Sequence, residues 1–200
     1  MRRMNCWTVF AFVVVLFSCT IATAQAAPPA DPSKAILQFA QRFEANMMGI
    51  AQAMPADKYN FAPNSDTFKA GSPAKFDTVR TFAQQLTHVA DFTFKSYSGF
   101  LKPDNAIDSK TLTAMTSKDD VLKALQAAFD YQNKVIASLT ADNAFTPQGA
   151  RNATLASTIV SVLNDDGDHY GQLVEYGRMN GIIPPATERQ MQGAPPAAQK

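Results

Sequence analysis

The chain reads as all-α, a four-helix bundle preceded by a cleaved signal peptide. Four long segments carry apolar residues at the i, i+3, i+4, i+7 spacing of amphipathic helices. No segment shows the alternation of a half-buried strand. The segments are joined partly by two long irregular connections, a topology that bundles of four helices accommodate.

The first segment stands outside that fold. Arg2 and Arg3 form a basic start, Trp7 to Phe17 is an apolar run, and Ala22-Thr23-Ala24 or Ala24-Gln25-Ala26 suits signal peptidase. Residues 1–26 are therefore read as a signal peptide and the protein as exported, periplasmic or secreted. Both cysteines, Cys6 and Cys19, fall in this leader. A chain cleaved after Ala24 or Ala26 has no disulfide framework, thiolate zinc site or cysteine nucleophile. Leu16-Phe17-Ser18-Cys19 loosely resembles a lipobox in which Phe17 fits poorly. The membrane is a partner only if Cys19 is lipidated.

Residues 27–33 form a Pro/Ala-rich linker. Lys34 to Met54 is the first helix, with Ile36, Leu37, Ala40, Phe43, Met47 and Ile50 as its stripe. Asp31-Pro32-Ser33 gives it a start signal and Pro55 a stop. An irregular connection follows to Pro73, long enough to cover one end of a core. The second helix is expected from about Lys75 to Phe100, with Phe76, Val79, Phe82, Leu86, Val89 and Phe94 on its buried side and His88 beside that stripe. Residues 104–117 read as a second polar connection.

Ser117-Lys118-Asp119-Asp120 resembles a capping box and opens a third helix to about Leu139, whose stripe includes Leu125, Phe129, Gln132 and Ile136. The fourth helix is expected from about Ala150 to Asn180, where Asn180-Gly181 is a stop signal and Pro184-Pro185 prevents resumption. The helical domain spans 34–186, and 187–200 reads as a disordered polar tail. The formal charge is +1, and about −1 once Arg2 and Arg3 are removed. With no basic patch, the sequence offers nucleic acid no binding face.

The chemistry rests on the two histidines of the chain, His88 and His169. Asp165 lies four residues before His169, so a continuous helix puts both on one face. Two imidazoles and a carboxylate meeting in a bundle core make a set of metal donors. Three protein ligands leave a position open for water or a substrate thiolate, the pattern of a catalytic site. Zinc suits the set; nickel or iron also fits. Gly167 stands between the pair and costs a helix about 1 kcal/mol relative to Ala. We expect the helix to remain continuous there; a break would separate Asp165 from His169.

Three stretches resemble the DinB superfamily. Pro55-Ala56-Asp57-Lys58-Tyr59-Asn60-Phe61-Ala62-Pro63 looks like the family's P-x-x-x-Y-x-F-x-P motif. Phe82 to Phe94, containing His88, looks like the segment of the first metal histidine. Asp165 to Pro185, with His169-Tyr170-Gly171-Gln172 and the Gly181-Ile182-Ile183-Pro184-Pro185 exit, looks like the closing helix. The likeness covers residues 34–186. It implies a metal-holding four-helix bundle, often a homodimer, with His88 as first ligand and His169 as last. The usual middle ligand is a histidine, and Asp165 occupies its place here. It also implies a hydrolase or thiol S-transferase type of reaction on a small-molecule substrate, without identifying catalytic residues beyond the metal set. The alternative is a cell-envelope bundle that has lost its metal and binds a small ligand or protein partner.

Overall fold

Helix α1 (Pro32–Ala53) starts where Asp31 accepts a hydrogen bond from the Ser33 backbone N–H at 3.0 Å, with Pro32 in the first turn, as the sequence signals. Its end shows how a helix terminus finds partners. Lys118 Nζ donates to the carbonyls of Gln52 and Met54 at 2.7 and 2.8 Å, and the buried Tyr59 hydroxyl donates to the carbonyl of Ala51 at 2.7 Å. The computed structural model describes residues 31–67, 71, 73, 75–148 and 152–193. The expected signal peptide and most of the linker lie outside the described residues.

Helix α2 (Phe82–Tyr97) begins later than its apolar periodicity predicts. Thr81 and Gln84 form a reciprocal capping box, while the Phe82 and Ala83 N–H groups donate to the carbonyls of Phe61 and Tyr59. These bonds satisfy the orphan donors of the first turn and tie the preceding connection under the helix. Phe76 and Val79 consequently lie in that connection, where Val79 still packs against the core. The helix also stops short of Phe100, whose N–H closes a turn onto the carbonyl of Tyr97.

The expected polar connection over 104–117 contains a short helix, α3 (Ser109–Ala114), capped by Asp108 and burying Leu112. Helix α4 (Lys118–Ala137) starts at Ser117, as its sequence predicts. Helix α5 (Leu155–Met179) starts at a Thr154/Ser157 capping box, later than the expected Ala150. Residue 150 itself lies outside the described residues. Gly181, at φ +76°, lets the chain turn out of α5, with the Gly181 and Ile182 N–H groups donating to the carbonyls of Arg178 and Gly177.

Pro184-Pro185 does not end helical structure. Pro185 opens α6 (Pro185–Gly193), because proline is compatible with a first helical turn, where its missing N–H needs no partner. Pro185 lies beside Gly49 of α1, and Arg189 donates to Asn46 at 2.8 Å. The polar segment expected to be a coil from 187 is therefore helical as far as Gly193; residues 194–200 lie outside the description.

The described residues are all-helical apart from an isolated bridge between Gln148 and Ala153. Helices α1 and α2 each pack on both α4 and α5. The buried apolar residues form two clusters. One gathers Phe94, Tyr97, Val135, Ile136, Ile159 and Val162; the other gathers Met47, Ile50, Phe82, Leu86, Phe129 and Leu173. Between them along α5 lie the buried Asp166 and His169; along α4 the two clusters interleave, and the buried Gln132 follows Phe129.

Helix α5 runs unbroken through Gly167. It buries Ile159, Val162 and Leu163 before that glycine and Leu173 and Tyr176 after it. Each such burial contributes about 1.5–3 kcal/mol, against a glycine cost of about 1 kcal/mol. Tertiary packing therefore decides the outcome.

Candidate metal centre

The unbroken α5 places Asp165 and His169 one turn apart on the same face, and α2 brings His88 against them. Asp165 Oδ1 lies 3.5 Å from His169 Nε2 and 3.9 Å from His88 Nε2. The ring centroids of the two histidines are 4.7 Å apart, and one potential ligand atom from each of the three residues falls within 4.8 Å of the others. All three residues singled out in the sequence thus meet in one place.

Their exposure is graded. The side chains of His169, Asp165 and His88 are 6%, 21% and 28% exposed, so the cluster is approached from the His88 side. Phe92, one turn along α2, stacks on the His88 ring. A pocket of about 290 Å³ is lined by His88 with Arg80, Gln84, Thr87, Asp91 and Thr113, but not by Asp165 or His169. A larger apolar groove of about 800 Å³ between α1 and α5, lined by Phe39, Phe43 and Val160 among others, contains none of the three. Chemistry, rather than volume, identifies the site.

Adjacent aspartates have opposite electrostatic fates. Burial works to raise the Asp165 carboxyl, but contacts with His169 and His88, and their charge, outweigh it and hold the group at about 2. Asp166 is completely buried. Burial pushes its carboxyl up to about 7, aided by the charge of Asp165 and opposed by Gln132 and His169.

The donor set fits a divalent metal. At 3.5 and 3.9 Å the imidazole–carboxylate separations are longer than good hydrogen bonds. Bonds of about 2.0–2.2 Å to one tetrahedral ion would place neighbouring donors roughly 3.3–3.5 Å apart. These two separations are close to that range, and all three donors lie within 4.8 Å of one another. Among the described residues, Asp165 Oδ2 and His169 Nδ1 are buried without hydrogen-bond partners, consistent with a group organised for something beyond the side chains present.

Further polar residues on α2, α4 and α5 are hydrogen-bonded to one another. Gln132 Nε2 of α4 donates to the buried Asp166 Oδ2 at 3.0 Å. Gln85 Nε2 donates to Gln172 Oε1 at 2.6 Å, and Gln172 donates to Asp168 at 2.9 Å. Gln132 had a visible signal: a polar residue within the apolar stripe of α4. Asp166 has none: in the sequence it is one of three aspartates around Gly167, with nothing to mark it as buried.

Fold and site define an all-helical protein carrying a His/Asp/His cluster suited to a divalent metal. The sequence profile of the DinB superfamily matches residues 40–173, from the middle of α1 to Leu173 of α5, spanning all three cluster residues. The chain belongs to the DinB superfamily. No curated protein matches it.

Proposed function

We propose that this DinB superfamily member is an exported four-helix bundle that holds a divalent metal on His88, Asp165 and His169 and acts as a hydrolase or thiol S-transferase type enzyme. The convergence of three donor groups within 4.8 Å, in a member of the DinB superfamily, carries the reading. Zinc is the first choice, with nickel or iron as alternatives. When bound, such an ion supplies Lewis-acid activation of a water or a thiol. The chain's own residues do the rest. His169 is the fixed, buried donor; Asp165 brings negative charge; His88 faces the polar pocket through which a small substrate approaches. Arg80 in that pocket offers a cation to an anionic substrate group. Export follows from the leader sequence, and a homodimer from the resemblance.

Elemental analysis after metal-replete purification tests the site. About one metal per chain is expected, lost in His88→Ala and His169→Ala. A wild-type chain purified without metal would overturn the reading.

Asp165 in place of the family's usual histidine favours one second reading, a non-catalytic bundle that binds a small ligand or an envelope partner. That reading requires a melting temperature indifferent to chelator, whereas the metal reading requires a fall.

A further inference from the structure

Helices α1 and α5 run parallel, with Phe43 beside Gly167 and Ile50 beside Gly177. The groove between them, about 800 Å³, has the volume of a small-molecule site. Phe39 and Phe43 meet edge to face in it, with ring centroids 4.9 Å apart, and Ile36, Ile159 and Val160 extend its apolar lining. Phe39 is 45% and Val160 68% exposed, so two large apolar side chains of the groove stand in water. Contiguous apolar surface of this kind marks a place of interaction.

The groove is polarised along its length. On α5, Val160, Asn164 and Asp168 follow one another at single-turn intervals along its rim. Ile36 and Ile159 lie toward the starts of the two helices. Asn164 and Asp168 lie toward the other end, where Gly167 adds no side chain and leaves the floor open beside Phe43. Asp168 is the charged side chain among the described residues that line the groove. Its carboxylate is held in place: Gln172 donates to Oδ2 at 2.9 Å and itself accepts from the buried Gln85 at 2.6 Å. Arg42 lies over the Phe39 ring, 5.8 Å from its centroid, but does not line the groove. A fixed carboxylate at one end of an apolar channel complements a cation carried on an apolar body.

We propose that the α1–α5 groove binds a small cationic amphiphile. Its hydrocarbon portion lies against Phe39, Phe43 and Val160, and its ammonium head pairs with Asp168, with the Asn164 carboxamide beside it. None of the metal donors lines the groove, so the proposal goes beyond the metal reading and is independent of it.

Calorimetric titration of the purified chain with decylammonium chloride and with sodium decanoate, both below micelle formation, tests it. Saturable uptake of decylammonium is expected, with decanoate bound about fivefold more weakly. Phe39→Ala should weaken decylammonium about tenfold through lost apolar contact, with the helical content unchanged. Asp168→Asn should remove the preference for ammonium over carboxylate. A wild type that takes up no decylammonium, or binds decanoate as tightly, overturns the proposal without any variant. Unchanged affinity in Phe39→Ala puts the probe elsewhere and overturns it too. Sedimentation equilibrium that finds a wild-type dimer and a monomeric Phe39→Ala gives the groove to a second copy of the chain and overturns it. None of these results bears on metal uptake by His88, Asp165 and His169, which is read separately.

Discussion

Gln85 and Gln172 clasp α2 to α5 at 2.6 Å, three residues before His88 and three residues after His169. The clasp fixes the antiparallel register of the two helices, so His88 lies opposite His169 with ring centroids 4.7 Å apart. A slip of one residue in either helix would turn an imidazole by about 100° and take it off the shared face. The hydrogen bond from the Tyr176 hydroxyl to the Arg80 carbonyl, at 3.1 Å, supports the same register further along.

The two adjacent aspartates predict a pH dependence of the metal-free protein. Asp166 rises from an ordinary value of 3.8 to about 7 because it is buried. Between those values the folded state binds the proton more tightly than the unfolded chain, so stability from this group falls as pH rises, by at most about 1.4 kcal/mol per pH unit. Asp165, lowered to about 2, acts in the opposite direction. Its contribution is present above 3.8 and is lost as pH falls toward 2. The melting temperature of Asp166→Asn relative to wild type should therefore climb from about pH 4 to pH 7. A difference between the two proteins that stays constant across that range would refute the assignment.

Two glycines of α5 should respond to alanine with opposite signs. A Cβ at Gly167 would lie 3.4 Å from the edge of Phe43, an ordinary contact, so Gly167→Ala should stabilise by up to about 1 kcal/mol through helix propensity. A Cβ at Gly177 would lie 2.8 Å from Ile50 Cδ1, and Ile50 is fully buried. Gly177→Ala should cost about 1–3 kcal/mol through overpacking. Urea unfolding of the two variants checks both; equal signs would contradict the packing described.

Tyr59→Phe removes the buried donor to the Ala51 carbonyl and leaves that oxygen at the end of α1 without its tyrosine partner. A loss of about 1–2 kcal/mol is expected, with the helical content unchanged. A variant as stable as wild type in denaturant titration would show that the hydroxyl contributes only packing.

Local periodicity made the principal elements legible. The spacing of Asp165 and His169 located the pair because both sit on one helix, and the stripe beside His88 located its partner element. The errors arose where two local signals competed. Phe76 and Val79 extend the apolar pattern ahead of α2, but the Thr81/Gln84 box satisfies the N-terminal donors and sets the boundary. Pro184-Pro185 carries a stop signal, but proline also suits a first helical turn, and here Pro185 opens α6. The Gln132–Asp166 contact joins residues distant in sequence on different helices, and no periodicity announces it.

The division of the apolar interior into two clusters has a consequence for cooperativity. On α5 the two clusters are separated by Asp166 and His169, whereas on α4 their members interleave, Ala124 and Ala128 of one alternating with Leu125 and Phe129 of the other. Cooperativity between them thus runs through α4. Native-state hydrogen exchange would show two opening units in a chain weakened on that helix, and a ligand bridging α2 and α5 would merge them into one.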